Sequence, residues 1–237
     1  MKKILFLSYN DIGGGAGIAA YKFFNLLRKN KNYDADFYCF KKYSKNPKVK
    51  IIKINLLSYL KIFINIMLAR ILFIIFPIKN YQKRSLCLFD TGILKNIDLN
   101  KYDLVHFHWF FNEIISLDEI LNIQKKLLIS THDLWFINGS THFNSNAKDH
   151  NFLTRKFENY LKIKKIKKIK KKKDIIFTTP GRWSNNFYNN VLINKIILLP
   201  NVPNLINSSI NKSIKEKLFI PKKIILTSIN LNRKNEY

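Results

Sequence analysis

Two hydrophobic periods alternate along the chain. Ile4-Leu5-Phe6-Leu7 is a short continuous apolar run, the pattern of a strand. A glycine-rich turn follows, and beyond it Ile18, Ala19, Ala20, Phe23, Phe24, Leu26 and Leu27 recur at helical spacing. Further strands are predicted over Ala35 to Phe40, Val49 to Ile54, Tyr102 to Trp109, Leu127 to Thr131, Asp174 to Thr179 and Lys195 to Leu199. Ser116 and Glu119 stand at the spacing of a capping box for a helix between two of these strands, and Pro180-Gly181-Arg182-Trp183-Ser184 opens another. Strand and helix alternate throughout, so the expected fold class is α/β, a Rossmann-like doubly wound parallel sheet.

Two stretches depart from this rhythm. Leu56 to Ile78 is almost continuously apolar and long enough to span a bilayer, but Lys61, Asn65 and Arg70 interrupt it. Charges near the middle of a span cost a few kcal/mol each, which favours an amphipathic helix half buried in the domain or lying at a membrane surface, ended by Pro77. Lys148 to Lys173 is a basic helical stretch in which Tyr160, Ile163, Ile166 and Ile169 fall three apart among lysines. It reads as a surface helix packing a narrow stripe on the sheet, with docking on anionic lipid headgroups as the alternative. From Leu205 to Ser213 the composition turns to Asn and Ser, a linker. The expected boundary therefore separates residues 1–204 from residues 205–237, where a short helix (Ile214 to Phe219) and an apolar run (Ile224 to Leu226) begin a further unit.

Composition changes the picture at one point. Formal net charge is +27, which first suggests nucleic acid or an anionic membrane. Nearly all of it is lysine, amid heavy use of asparagine and isoleucine, the bias of an AT-rich coding sequence. Arginine, the residue of bidentate base and phosphate contacts, occurs six times, and the aromatic residues sit inside apolar runs and form no stacking platform. No specific nucleic acid is therefore expected as a partner. Cys39 and Cys87 are too few for a secreted disulfide framework, and Met1-Lys2-Lys3 leads into no signal peptide, so the expected location is the cytoplasm, with a peripheral position at the inner face of the membrane as the alternative that the apolar and basic stretches offer.

Candidate chemistry collects after the strands. Four of the seven glycines, Gly13, Gly14, Gly15 and Gly17, fall in the first strand-to-helix turn. Backbone N–H groups at such a helix N-terminus favour an anion, usually a phosphate; the alternative is a tight turn with no ligand. The turn is neither a P-loop nor a clean G-x-G-x-x-G. His106 and His108 share one strand face, but no cysteine or carboxylate stands at ligand spacing, so a satisfied histidine or a substrate contact is favoured over a metal site. Asp34-Ala35-Asp36 begins a strand instead of ending one, which argues against an Asp-x-Asp metal site. His132 with Asp133, at a strand's carboxyl end with Trp135 beside it, is the stronger catalytic candidate.

Four landmarks in fixed order carry a resemblance: Asp11-Ile12-Gly13-Gly14-Gly15-Ala16-Gly17-Ile18-Ala19-Ala20-Tyr21, His106-Phe107-His108-Trp109, Thr131-His132-Asp133-Leu134-Trp135, and Pro180-Gly181-Arg182-Trp183 with Leu199-Pro200-Asn201. Together they resemble the amino-terminal half of the family 4 retaining glycosyltransferases of the GT-B fold, from Met1 to about Asn204. The resemblance implies an acceptor-side domain facing a donor-binding domain across a cleft. The substrates would be a nucleotide-diphosphate sugar as donor and a glycan or lipid-linked acceptor, with no metal and no other cofactor. It implies that Gly13, Gly14, Gly15 and Gly17 approach the donor diphosphate and that His132 contacts the transferred sugar. Asp11, Trp109, Asp133, Trp135 and Arg182 would stand on the acceptor side.

The sequence departs from the pattern where Phe136 replaces a proline and where Asn138 to His150 lacks a cysteine. Arg233-Lys234 resembles the start of the donor domain's phosphate segment, with Asn235 in place of glycine. The paired-glutamate motif of that domain is not reached, so the expectation is a chain inactive alone or partnered by a separately encoded donor domain. Rival readings are a non-catalytic module of the same fold and a basic membrane-surface protein.

Overall fold

A computed structural model describes residues 1–79, 83–144, 147–172 and 174–202. The chain divides into units Met1–Asn201 and Val202–Tyr237. The expected linker, the helix Ile214 to Phe219, the apolar run from Ile224 and Arg233-Lys234 all lie outside the described residues.

The first unit is built on seven strands: β1 (Lys2–Asn10), β2 (Tyr33–Lys41), β3 (Val49–Ile51), β4 (Leu104–Phe107), β5 (Lys126–Ser130), β6 (Ile175–Thr179) and β7 (Lys195–Leu198). They form one sheet in the order β3-β2-β1-β4-β5-β6-β7, every adjacent pair parallel. Five helices flank it: α1 (Gly15–Arg28), α2 (Leu56–Ile75), α3 (Leu117–Leu121), α4 (Phe152–Lys171) and α5 (Arg182–Val191). This is the expected α/β, Rossmann-like architecture. Its order reverses between β1 and β4, which makes the carboxyl ends of those strands the topological switch point.

β1 is central and covered on both faces, which is why its apolar run is continuous and does not alternate. Ile4 and Phe6 pack with Phe24 of α1 and Phe37 of β2, while Leu5 and Leu7 join Val105, Phe107, Ile129 and Phe177 in a larger core that also holds Ile62 of α2, Ile169 of α4 and Tyr188 of α5. Burying each such side chain fully is worth about 1.5–3 kcal/mol. Cys39 and Cys87 are both free and buried.

Three local expectations are corrected. Ser116 caps α3, its Oγ accepting from Glu119 N at 2.9 Å, but the Glu119 carboxylate turns to Thr91 N (3.0 Å) and Leu94 N (3.2 Å), so it pins the 91–94 segment and does not close a capping box. In α4 the residues three apart do not form one face: Ile169 is buried while Tyr160 and Ile163 are exposed. At about 100° per residue a spacing of three drifts steadily around the helix, so Tyr160 and Ile169 point to opposite sides. The buried side is Thr154, Glu158, Lys165 and Ile169, at spacings near whole turns.

The third correction concerns α2. It is the predicted helix, but its amphipathicity is inverted: Ser58 and Asn65 lie on the buried side with Ile62 and Ala69, while leucines, isoleucines and a phenylalanine face outward. Asn65 clamps the helix to the domain, donating to Phe89 O (2.9 Å) and accepting from Phe89 N (3.2 Å).

Candidate functional site

The carboxyl edge of the sheet gathers most of the predicted residues. β1 runs into the glycine turn, β4 into His108 and Trp109, β5 into His132 and Asp133, and β6 into Gly181 and Arg182. The β1–β4 pairing continues past the strands, with His108 N donating to Leu7 O (2.8 Å) and Tyr9 N to Trp109 O (2.9 Å), so the glycine turn and the histidine segment leave the sheet side by side.

The four glycines have two different jobs. A Cβ at Gly17 would stand 1.9 Å from Asn10 Oδ1 and 2.8 Å from Asn10 O, and one at Gly13 would stand 2.5 Å from the Tyr43 ring, so these two are glycine because the turn packs against its own neighbours. Gly14, at φ +143, and Gly15 meet nothing within 4 Å. Gly14 is the N-cap of α1 and offers no side-chain cap, the first turn holds no acid, and the first intrahelical bond is Ile18 N to Gly14 O. The N–H groups at this open pair are therefore available to an anion.

Asp11 does not line an open face. It is fully buried, and its carboxylate accepts from Ile12 N (2.9 Å), Tyr43 N (2.8 Å) and Ser44 N (2.8 Å), which ties the glycine turn to the loop after β2. Burial pushes its pKa up, but these hydrogen bonds outweigh burial and leave the carboxyl below its usual value.

His106, His108 and His132 form a chain of rings. His106 Nε2 meets Ser130 Oγ at 2.8 Å, which meets Thr178 Oγ1 at 2.8 Å; the His106 and His108 rings lie 4.3 Å apart; His108 Nδ1 lies 3.0 Å from His132 Nε2. Burial depresses all three, His106 to about 3 and His132 to about 4, so each ring is neutral near pH 7. His108 Nε2 is buried without a partner. An orphaned acceptor is tolerated better than an orphaned N–H, so the proton of His108 belongs on Nδ1, donating to His132 Nε2. His132, half-buried at the edge, then presents Nδ1–H outward as a donor. Among the described residues no group of three or more His, Cys, Asp or Glu side chains is placed to hold a metal ion.

Asp133 and Trp135 lie beneath this edge as supports. The Asp133 carboxylate accepts from Trp109 Nε1 (2.8 Å), His142 Nδ1 (2.6 Å) and Trp135 N (3.0 Å). Burial raises its pKa, and His142 with the other two donors more than offsets that, holding the carboxyl below its ordinary range. Trp135 is wholly buried, its Nε1 donating to Ser85 O at 2.7 Å, so neither residue meets the expectation of an open acceptor face. Trp109 is half-buried, with Lys83 Nζ 4.0 Å from its ring centroid, and Arg182 is exposed at the first position of α5.

The sequence reading missed the partners of this platform. His142 joins Asp133 to Ser85 Oγ (3.0 Å), Tyr188 Oη donates to Asp133 O (2.9 Å), and Lys165 is buried over the Trp135 ring with its ammonium on Trp135 O. Burial drives the Lys165 amine down to about 7. Glu113 accepts from Leu86 N (2.8 Å) and Cys87 N (2.5 Å), and burial raises it to about 7. Cys87, Asn112 and Glu113 all hold positive φ, local strain of the kind that collects near functional sites. No spacing marks these residues; only a His nine positions beyond the strand-end Asp was available as a signal.

Fold and site together define a Rossmann-like α/β protein with an open glycine turn and a hydrogen-bonded histidine pair at the switch point of its sheet. No protein-family model matches the chain, and a search of curated proteins returns no match.

Proposed function

We propose that this chain is the acceptor-side domain of a retaining glycosyltransferase that moves a sugar from a nucleoside diphosphate to a glycan or lipid-linked acceptor. One observation carries the reading. Of the four buried side-chain polar atoms without a partner among the described residues, three (Ser8 Oγ, Asn10 Oδ1 and His108 Nε2) fall at the carboxyl ends of β1 and β4, where the chain enters the glycine turn. Buried polar atoms are rarely left unsatisfied, and a cluster of them at a switch point supports a ligand bound there.

In this reading the N–H groups at Gly14 and Gly15, with the α1 dipole behind them, take up charge on the diphosphate as its bond to the sugar breaks. His132 Nδ1–H holds a sugar hydroxyl, and the new glycosidic bond forms on the face the leaving group vacates, the acceptor hydroxyl's proton passing to the departing diphosphate oxygen. His108 and the Asp133 platform position these groups without touching substrate. The remaining nucleotide contacts come from a second domain. Positioning between two domains is worth about 7–11 kcal/mol when fully realised, so residues 1–237 assayed without a partner domain are expected not to turn over.

The test is transfer of labelled sugar from uridine, guanosine and thymidine diphosphate sugars to lipid and glycan acceptors, by the chain alone and with a desalted extract of its own cells. Transfer is expected only in the mixture and is lost with His132→Ala. Turnover by the chain alone contradicts the two-domain arrangement. Transfer that ignores the chain leaves it a non-catalytic module.

A further inference from the structure

The outward side of α2 is the least explained surface of the molecule. Leu56, Leu60, Phe63, Met67, Ile71 and Ile74 follow one another at spacings of four and three, which keeps them on one face, opposite buried Ser58, Ile62, Asn65 and Ala69. With Leu57, Tyr59, Ile64 and Ile75, ten of the large apolar side chains of this helix are each 41–86 % exposed. An exposed apolar strip along a helix of about 30 Å is a binding surface, not scatter. α2 alone among the described helices is long and apolar enough to cross a membrane by length and composition. Asn65 argues against crossing: bonded to Phe89 at mid-helix, it fixes one whole side of α2 to the sheet domain, leaving only the other side for an outside medium.

Charge decides what covers that side. A second copy would bring another +27 against it. An anionic lipid surface attracts the same charge. The basic helix α4 adjoins the end of α2: Phe76 stacks on Phe157 at 4.2 Å, and Thr154 Oγ1 donates to Pro77 O at 3.1 Å. It exposes Lys156, Lys164, Lys167, Lys170 and Lys171, along with apolar Phe152, Leu153, Tyr160 and Ile163. Ile163, Ile166, Lys167, Lys170 and Lys171 follow one another along this helix at spacings of three, one, three and one. Apolar residues beside lysines are the composition of an interfacial helix.

We infer that α2 lies in the plane of an anionic membrane, its Leu56-Phe63-Ile74 face buried among the acyl chains and the lysines of α4 against the headgroups. This inference stands apart from the glycosyl-transfer reading: it needs no sugar nucleotide and survives if transfer is never found.

The test is flotation of the full chain, translated in the presence of phosphatidylcholine vesicles with and without phosphatidylglycerol. Binding is expected only with the anionic lipid, weakened by high salt and removed by carbonate. Phe63→Asp with Met67→Asp, both on the exposed side, should weaken it about tenfold or more while leaving the circular dichroism spectrum unchanged. A fluorophore on Met67→Cys should be quenched by brominated acyl chains, which reads lipid contact even if the double variant misfolds. Retention through carbonate, binding indifferent to both aspartates, an unquenched probe, or a dimer that the aspartates dissociate would each overturn the proposal.

Discussion

His108 Nδ1 and His132 Nε2 are held 3.0 Å apart, which makes the two imidazoles one hydrogen-bonded unit reaching from the buried sheet to its open edge. Because His108 Nε2 has no partner, His132 should be the Nδ1–H tautomer and stay neutral until about pH 4. Long-range proton–nitrogen NMR of the imidazoles reads this directly. An Nε2–H signal for His132 at pH 7 would remove its assigned donor.

Acid should destabilise the fold above the pH at which ordinary carboxylates titrate. An unfolded histidine binds its proton near pH 6.5, whereas His132 and His106 resist it to about 4 and about 3, and His108 also lies well below 6.5. The unfolded state therefore binds more protons below pH 6.5, and stability present above that value is lost as pH falls, by up to about 1.4 kcal/mol per pH unit for each ring. Glu113, raised to about 7, works in the opposite direction between about pH 7 and 4.3, but it is one group against three. Urea midpoints at pH 7 and pH 5 should differ, the latter lower; a flat or rising profile contradicts the neutral-histidine assignment.

The Asp133–His142 pair should matter for stability more than any exposed site residue. Both side chains are buried at 2.6 Å, so His142→Ala leaves a carboxylate short of a donor and should cost about 1–3 kcal/mol in denaturant unfolding. Arg182→Ala, on an exposed side chain, should stay within about 0.5 kcal/mol. Equal effects would mean that the platform under Trp109 is not what holds this edge.

Substitutions in the glycine turn should separate packing from binding. Gly17→Ala drives a Cβ into the Asn10 backbone, and Gly14→Ala is strained at φ +143, so both should lower the melting temperature. Gly15→Ala meets open space and should leave it unchanged. Thermal scans of the three variants check the order.

The parts of this molecule visible in its sequence are those set by neighbours along the chain. Ile4 to Leu7 announced a strand, the glycines announced the turn into α1, and His106, His108, His132 and Asp133 were placed at strand ends by the apolar runs before them. Side-chain orientation was harder. A three-residue spacing in α4 imitated a face that the 3.6-residue helix does not keep, and α2 concealed polar residues on its buried side. Least visible were partners distant in sequence: Ser85 with His142 is 57 residues apart and Arg84 with Glu158 is 74, brought together by a segment with no periodic pattern that folds partly as short 3-10 turns at Ile93–Asn96 and Leu99–Lys101. Such pairs exist only once the sheet has set the distance between its loops.

The central claim is that the open turn at the switch point takes a sugar nucleotide's diphosphate. Its most direct test is titration of the nitrogen-15-labelled chain with uridine, guanosine and thymidine diphosphate sugars, following amide shifts for the wild type and for Gly15→Val, whose Cβ occupies space the fold leaves empty. One of these donors should produce saturable shifts at Gly14, Gly15, Ala16 and His132, displaced by the matching nucleoside diphosphate and abolished by Gly15→Val with the rest of the spectrum intact. Shifts located elsewhere, shifts that survive Gly15→Val, or none with any of the three donors would contradict it.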